Sequence, residues 1–187
     1  MTVEPLALPE VLLVKPRVFR DDRGRLIETW RASLYAAHGI GPFVQDNASS
    51  SRKGVLRGLH FQHPHGQGKL ASALRGEVFD VAVDVRVGSP TFGRWTSVIL
   101  SEENGWQVYI PPGFAHGFLT LSDDVVFSYK CTEYYTPEAE RSVRWSDPAL
   151  AIEWPVENPI LAAKDAAAPL LGDLPAAALP EYRSAYA

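Results

Sequence analysis

The sequence has 187 residues, the size of one globular domain, and we expect a single domain over residues 1–187. Its 18 basic and 22 acidic side chains give a formal net charge of −4, which argues against a general nucleic-acid binder. The single cysteine, Cys131, excludes an intramolecular disulfide, and no apolar run approaches the ~20 residues of a membrane span. No signal peptide is expected, because the first residues lack a basic segment followed by an apolar stretch. We therefore expect a cytoplasmic protein that binds neither nucleic acid nor membranes.

Short β-rich segments separated by glycine and proline predict an all-β protein, with a sandwich or small barrel as its architecture. A turn is predicted over residues 21–24, and a short helix over residues 32–38 that ends at Gly39. Beyond residue 155 the chain is rich in alanine and proline, and this tail could pack on the strands as short helical turns or fray in part. The predicted strands cover residues 11–19, 26–30, 44–48, 55–61, 69–74, 77–85, 95–100, 106–110, 114–121, 125–132, 142–145 and 151–154.

The strand predicted over residues 77–85 has the clearest alternation of side chains. Large apolar residues occupy every second position, so that they share one face of the strand. We expect this face, formed by Phe79, Val81, Val83 and Val85, to point into the core.

Charge is distributed unevenly along the chain. Residues 47–76 contain no Asp or Glu and carry a charge of +5, whereas the rest of the chain carries −9. Two interpretations stay open: a binding place for an anionic ligand, or a basic face in contact with solvent. The basic residues and histidines of this segment are Arg52, Lys53, Arg57, His60, His63, His65, Lys69 and Arg75.

The spacing Gly-x5-Pro-x-Gly-x2-His, from Gly105 to His116, fits the second signature motif of the cupin superfamily. Proline and glycine turn the chain at a barrel corner, and the next strand directs His116 into the barrel mouth. The alternative is a hydrogen-bonded core histidine. The first cupin motif is incomplete, because no carboxylate follows His63 and His65 before Glu77. We therefore expect no bound metal.

Further motifs occur in a fixed order along the chain. The most specific combination is Leu-Arg-Gly-Leu-His at residues 56–60 with Pro-x-Gly-x-Ala-His-Gly-Phe at residues 111–118. The others are Gln-Asp-Asn (45–47), Gln-Gly-Lys-Leu (67–70), Gly-Ser-Pro-Thr-Phe-Gly (88–93), Tyr-Lys (129–130), Tyr-Tyr-Thr-Pro (134–137), Asp-Pro (147–148) and Lys-Asp (164–165). Together they resemble the dTDP-4-dehydrorhamnose 3,5-epimerase family from about residue 14 to residue 169.

This resemblance implies a cupin-type jelly-roll barrel or sandwich with a few short peripheral helices. It also implies an isomerase without a cofactor, which inverts the two carbons flanking the ketone of a dTDP-linked 4-keto-6-deoxy sugar. Such a reaction needs a base, a group that stabilises the enolate oxygen, and an acid on the opposite face. By the resemblance, His60 is the base and Asp165 orients it, Lys69 stabilises the enolate, and Tyr129 donates the proton. We expect a cation near Tyr129, either Lys69 or Lys130, to assist its ionisation.

Simpler interpretations of these residues stay open. Tyr129 lies in an apolar strand and could be a core aromatic residue, while Asp165 could cap a helix in the tail.

A second set of residues matches family positions that bind the substrate. The resemblance also implies a homodimer in which the N-terminal region of one subunit helps to line the site of the other. Leu26 and Ile27 replace the aromatic pair that many relatives have before Glu28, which would loosen packing around the nucleotide. The substrate-binding set is Arg23, Glu28, Gln45, Asn47, Arg57, His116, Tyr135 (as the residue that stacks on thymine), Glu140 and Lys164.

Three other functions compete with the double epimerase. A single-carbon epimerase acting on a related dTDP-4-keto-6-deoxy sugar would use the same His60, Lys69 and Tyr129. A metal-dependent cupin oxygenase is disfavoured by the missing carboxylate. A sugar-nucleotide-binding module without catalysis is disfavoured by the presence of all three groups that the reaction needs.

Overall fold

Residues 1–182, which the computed structural model describes, form two large antiparallel sheets and a separate two-stranded hairpin. The strands are β1 (Thr2–Pro5), β2 (Leu12–Lys15), β3 (Val18–Asp21), β4 (Gly24–Ile27), β5 (Gln45–Ser51), β6 (Leu56–Gln62), β7 (Lys69–Arg75), β8 (Glu77–Asp84), β9 (Trp95–Ser101), β10 (Gln107–Ile110), β11 (Phe114–Thr120), β12 (Val125–Cys131) and β13 (Glu140–Ser142). The helices are α1 (Ala32–Ala36) and α2 (Ala163–Ala166), with 3-10 turns at Pro137–Ala139, Leu171–Asp173 and Ala176–Ala178. The predicted all-β class is confirmed.

The order of the strands brings distant motifs together. One sheet has the order β1-β2-β10-β7-β12-β5, and the other has the order β13-β6-β11-β8-β9. The two specific motifs therefore lie side by side, because β6 and β11 are neighbours in the second sheet and pair His60 with His116. Strands β7, β12 and β5 are neighbours in the first sheet and carry Lys69, Tyr129 and Asn47.

Some predicted elements differ from the observed ones. The strand predicted over residues 11–19 is divided into β2 and β3 around Pro16, which has no amide hydrogen to donate to a ladder. Helix α1 ends two residues earlier than predicted, and residues 151–154 form no strand. The short helical turns expected in the tail are present at α2 and the last two 3-10 turns, although residues 183–187 lie outside the described part.

Strand β8 is buried on both faces. Val81, Val83 and Val85 are buried as predicted, but they pack against Leu150 and Leu171 of the C-terminal part. The opposite face, with Val78 and Ala82, belongs to the cluster that also holds Phe118 and Phe127. The expectation of one core face was therefore incomplete, because the tail adds a second apolar layer outside the sheet.

The Gly-Ser-Pro-Thr-Phe-Gly motif is held by a buried carboxylate. Asp84 accepts hydrogen bonds from the Arg86 guanidinium at 2.8 and 2.9 Å, from the Ser89 hydroxyl and from the Thr91 hydroxyl. Burial opposes ionisation of Asp84, but these donors together hold its pKa below the ordinary value. The motif thus fixes the loop after β8.

No helix within residues 1–182 is long and apolar enough to cross a membrane.

Gly58 permits a close backbone contact between β6 and β11. A Cβ atom at this position would lie 2.6 Å from the Cα of Gly117 and 2.7 Å from the carbonyl oxygen of His116. Its φ of +123° is also a value that other residues rarely adopt. The glycine therefore sets the distance between the strands that carry the two histidines.

We expect Gly58→Ala to destabilise the protein by about 3 kcal/mol or more, since the steric clash and the backbone strain add. Gly54 is the matched control: its φ is +81°, but nothing lies within 4 Å of an added Cβ. Gly54→Ala should therefore cost only about 1–2 kcal/mol. Urea unfolding of both variants measures the difference, and equal losses would contradict the steric argument.

Candidate active site

A cavity of about 360 Å³ is lined by side chains of both large sheets and of α2. Strands β5, β7 and β12 contribute from one sheet, and β6, β11 and β13 from the other. Its lining residues are Gln45, Asn47, Ser49, Arg57, His60, Phe61, Gln62, Gln67, Lys69, His116, Phe118, Tyr129, Tyr135, Glu140, Ala162, Lys164 and Asp165.

A buried carboxylate holds the imidazole of His60. Asp165 Oδ1 lies 2.6 Å from His60 Nε2, and the amide of Gly58 donates to Asp165 Oδ2 at 3.4 Å. Burial opposes ionisation of Asp165, but the hydrogen bond and charge of His60, the Gly58 amide and the charge of Lys164 lower its pKa. The ionised carboxylate accepts the proton on Nε2, so that the lone pair of a neutral His60 is on Nδ1.

Asp165 does not cap α2. The helix has Ala162 at its N-cap, and Asp165 lies inside the helix with a 2 % exposed side chain. The alternative interpretation of Asp165 as a helix cap is therefore wrong.

A second histidine is paired in the same way. His116 Nε2 lies 2.9 Å from Asp80 Oδ2, and both side chains are buried. His116 also lines the cavity, so it is both a hydrogen-bonded histidine and a pocket residue. Sequence reasoning missed Asp80, because β8 carries three acidic residues and only the pairing of β8 with β11 places Asp80 next to His116.

Lys69 and Tyr129 contribute a cation and a phenol to the cavity. Burial lowers the pKa of Lys69, while the negative charges of Asp80 and Glu140 oppose this change. Burial raises the pKa of Tyr129, which is only partly offset by the charge of Arg57 and a hydrogen bond from Asn47. Tyr129 is therefore a phenol that holds its proton.

The expectation that Lys130 assists Tyr129 is wrong. Successive side chains of a strand point to opposite faces, and Lys130 forms a 2.8 Å ion pair with Asp46 on the side away from Tyr129. The cation that lowers the pKa of Tyr129 is Arg57.

Polar contacts join the residues at one end of the cavity. Glu140 accepts hydrogen bonds from Lys164 at 2.9 and 3.1 Å and from the Tyr135 hydroxyl at 3.2 Å. The Tyr135 amide donates to Gln45 Oε1 at 2.9 Å. The Tyr135 side chain is 49 % exposed, which leaves its ring accessible to a planar ligand.

The comparisons with known proteins agree with this geometry. The dTDP-4-dehydrorhamnose 3,5-epimerase family model matches residues 5–173. The dTDP-4-dehydrorhamnose 3,5-epimerase of Salmonella typhimurium is 54% identical over 176 residues, which cover 91% of this chain and 96% of the relative. The chain belongs to the dTDP-4-dehydrorhamnose 3,5-epimerase family.

Solved structures of this family have the same fold. The dTDP-6-deoxy-D-glucose-3,5-epimerase of Legionella pneumophila Philadelphia 1, in complex with dTDP-4-keto-L-rhamnose, superposes with a TM-score of 0.95 at 52% identity, covering 98% of this chain and 99% of that one. ChmJ, a 3'-monoepimerase of Streptomyces bikiniensis in complex with dTDP-quinovose, has a TM-score of 0.88 at 40% identity, with coverage of 96% and 93%. The predicted cupin-type sandwich with short peripheral helices is confirmed.

The basic segment, residues 47–76, contains side chains that line the cavity and side chains that are exposed to solvent, so each of the two interpretations applies to part of it. Arg57 and Lys69 line the cavity together with His60. Arg75, in contrast, forms an exposed ion pair with Asp124. Exposed basic residues at 52 and 53 and the histidines at 63 and 65 lie outside the cavity lining.

Two residues of the predicted site lie outside the cavity of their own chain. Arg23, in the turn between β3 and β4, pairs with Asp21 at 2.6 Å and is 90 % exposed. Glu28 follows β4 and pairs with Arg31 at 2.6 Å. The other eleven predicted residues all line the cavity. Within residues 1–182, no group of three or more His, Cys, Asp or Glu side chains could hold a metal ion.

Asp165→Asn is expected to lower the free energy of unfolding at pH 7 by about 2 kcal/mol, because a charge-assisted hydrogen bond is lost in a buried place. The folded-state pKa of Asp165 is lowered, so its stabilisation is complete above the ordinary carboxyl pKa near about 4 and is lost as the pH falls through the folded value. The difference in the free energy of unfolding between wild type and variant should therefore become smaller as the pH is lowered.

Urea unfolding at pH 7 and at successively lower pH values measures this gap. Asp123→Asn, in an exposed turn, is the control and should show no comparable loss. A gap that widened in acid would contradict the assigned direction of the pKa shift.

Proposed function

We propose that the protein epimerises dTDP-4-dehydro-6-deoxy-D-glucose at carbons 3 and 5 to give dTDP-4-dehydro-L-rhamnose. The observation that carries this function is the His60–Asp165 pair in a cavity that also holds Lys69 and Tyr129. The high identity to named 3,5-epimerases and the epimerase complex with dTDP-4-keto-L-rhamnose support the same substrate class.

The first step removes a proton from a carbon next to the ketone. His60 accepts it at Nδ1, because Nε2 is engaged by Asp165. The carbanion delocalises to an enolate, and the positive charge that forms on the imidazole lies beside an ionised carboxylate. Asp165 thus orients the ring and stabilises its charged form, while the proton stays on His60.

The enolate oxygen needs a positive charge or donor close to it. Lys69 provides an ammonium group in a partly buried place, where an electrostatic interaction is stronger than in water. Burial lowers the pKa of Lys69, but the carboxylates of Asp80 and Glu140 favour its charged form. These acids thus support the catalytic charge of the lysine.

Inversion requires a proton from the face opposite to His60. Tyr129 is carried by β12 of the six-stranded sheet, whereas His60 is carried by β6 of the five-stranded sheet, so the two groups approach the cavity from different sheets. A tyrosine with a raised pKa holds its proton until a carbanion takes it. The same pair of groups serves carbon 3 and carbon 5 if the sugar turns between the two steps, and if His60 releases its proton to solvent and Tyr129 takes one up before the second step.

The remaining cavity residues bind the nucleotide in this proposal. Arg57 offers a guanidinium to the diphosphate, and the exposed ring of Tyr135 stacks on thymine. Gln45 and Asn47 present amide groups to the base, and the other contacts to the substrate come from His116, Glu140 and Lys164. No cofactor takes part.

We further propose a cytoplasmic homodimer formed by two copies of this single-domain chain. Arg23, in the turn of the exposed β3–β4 hairpin, and Glu28, directly after this hairpin, lie outside the cavity of their own chain. The hairpin also presents Phe19 and Leu26 to solvent. A hairpin with exposed apolar side chains is suited to cover a second subunit. Arg23 and Glu28 would then complete the partner's site.

A single-carbon epimerase is the second candidate, because the 3'-monoepimerase ChmJ is 40% identical and has the same fold. Proton NMR of dTDP-4-keto-6-deoxyglucose with the enzyme in deuterated water separates the two. We expect exchange at both carbons flanking the ketone and conversion to dTDP-L-rhamnose when a suitable reductase is added. Exchange at one carbon alone would favour the monoepimerase, and bound dTDP without exchange would favour a binding module.

Two variants should distinguish the residue that catalyses proton exchange from one that binds the nucleotide. We expect His60→Ala to lower the exchange rate by about 10²–10⁴-fold while dTDP affinity stays within about twofold, because only the base is removed. Arg57→Ala should instead weaken dTDP binding by about tenfold or more. Calorimetric titration with dTDP and the NMR assay measure both quantities, and near wild-type exchange in His60→Ala would refute the assignment of the base.

The homodimer proposal predicts complementation between His60→Ala, which lacks the base, and Arg23→Ala, which binds substrate weakly, when activity is measured at low substrate concentration. In a mixed dimer of His60→Ala and Arg23→Ala subunits, one site combines an intact His60 with an intact Arg23 from the other subunit. Co-expression with two affinity tags, followed by purification of the mixed species, should restore about half of the wild-type activity per dimer. A mixed dimer as inactive as either parent would exclude a shared site.

A further inference from the structure

One buried hydroxyl group in the cavity wall has no partner in the protein. Among the described residues 1–182, Ser49 Oγ is the buried side-chain nitrogen or oxygen atom that makes no hydrogen bond. Ser49 also lines the cavity. A buried hydroxyl without a hydrogen bond lowers the stability of the protein unless a ligand or water supplies the partner, so its position next to a binding cavity needs an explanation.

The inward-facing polar residues on either side of Ser49 in β5 are all engaged. Gln45 donates to Asn47 Oδ1 at 3.2 Å, and Asn47 donates to the sulfur of Cys131 at 3.7 Å. Ser51 accepts from the guanidinium of Arg57 at 3.1 and 3.3 Å. Ser49 lies between these two groups along the same face of the strand.

The neighbour of Ser49 on the adjacent strand cannot satisfy it. Ser49 pairs with Phe127 of β12, whose ring is stacked on Phe118 at a centroid distance of 3.9 Å. An aromatic hydrocarbon ring offers no conventional donor or acceptor. A partner for the hydroxyl must therefore enter through the cavity.

The position of Ser49 indicates the chemistry of that partner. Two residues further along the strand, Ser51 holds the guanidinium of Arg57, and both Arg57 and Ser49 line the cavity. A ligand group that reaches both residues is an anion with several acceptor oxygens, since a guanidinium donates only and a hydroxyl can donate. A diphosphate has these properties.

We propose that Ser49 donates a hydrogen bond to an oxygen of the substrate diphosphate that Arg57 also binds. Because Oγ is buried in the protein, this hydrogen bond requires rotation about the Cα–Cβ bond to a rotamer that faces the ligand. The proposal rests on the sugar-nucleotide substrate proposed above and adds a specific donor for its phosphate groups.

Ser49→Ala tests this donor by calorimetric titration with dTDP and with dTDP-glucose, which shares the diphosphate and carries a sugar. We expect both affinities to fall by a similar factor of about ten, because a hydrogen bond to a charged group is lost. Ser50→Ala is the matched control, since Ser50 is the next residue of the same strand and its side chain is exposed.

Any result other than a similar loss of affinity for both nucleotides contradicts the proposed contact between Ser49 and the diphosphate. If only the affinity for dTDP-glucose falls, Ser49 contacts the sugar. If neither affinity changes, the hydroxyl binds water alone. A wild-type protein that binds neither nucleotide would instead refute the proposed function, which keeps the two failures distinct.

Two further measurements separate binding from structure. Removing an unpartnered hydroxyl should leave the thermal unfolding midpoint unchanged or slightly raised, whereas a structural role would lower it. In the Ser49→Ala, Arg57→Ala double variant, the loss of dTDP affinity should differ from the product of the single losses, because both side chains contact one group. Strict additivity would contradict a shared diphosphate.

Discussion

The contact between His60 and Asp165 joins two parts of the chain that are 105 residues apart in sequence. It requires that the C-terminal segment fold back over the sheets, so that α2 can place a buried carboxylate against β6. Apolar residues of that segment, among them Leu150, Leu171 and Leu179, pack on the outer face of β8 and hold it there. The tail is therefore part of the active site as well as a cover for the sheet.

Several charged groups are taken out of water at this site, and each removal costs free energy unless a partner compensates. Asp165 is compensated by His60 and the Gly58 amide, Asp80 by His116, and Glu140 by Lys164. Lys69 differs from these groups, because its acidic neighbours favour its charged form through electrostatic attraction and not through hydrogen bonds. A cation that is incompletely paired is suited to stabilise an oxygen that becomes negative during the reaction.

The sequence predicted the β-rich class and most strands, because alternation and glycine-rich turns are local signals. It also indicated His60, Lys69 and Tyr129, because each of them lies in a short motif that resembles the family. It could not reveal Asp80 or Ser49 as site residues, since their importance arises from which strands become neighbours. The two-sided burial of β8 and the turn of Lys130 away from the cavity likewise follow from packing, which no local pattern records.

The charge of the cavity supports a site completed by a second subunit. In one chain, the cationic residues Arg57, Lys69 and Lys164 line the cavity together with the carboxylates of Glu140 and Asp165, while Asp80 lies directly behind His116. These charges nearly cancel, yet a sugar-nucleotide diphosphate carries two negative charges. Lys69 is assigned to the enolate, which leaves the phosphates with little positive charge from this chain. Arg23 and Glu28 of a second subunit would leave the net charge unchanged, but the exposed guanidinium of Arg23 on the β3–β4 hairpin could be placed next to the phosphates, where positive charge is needed.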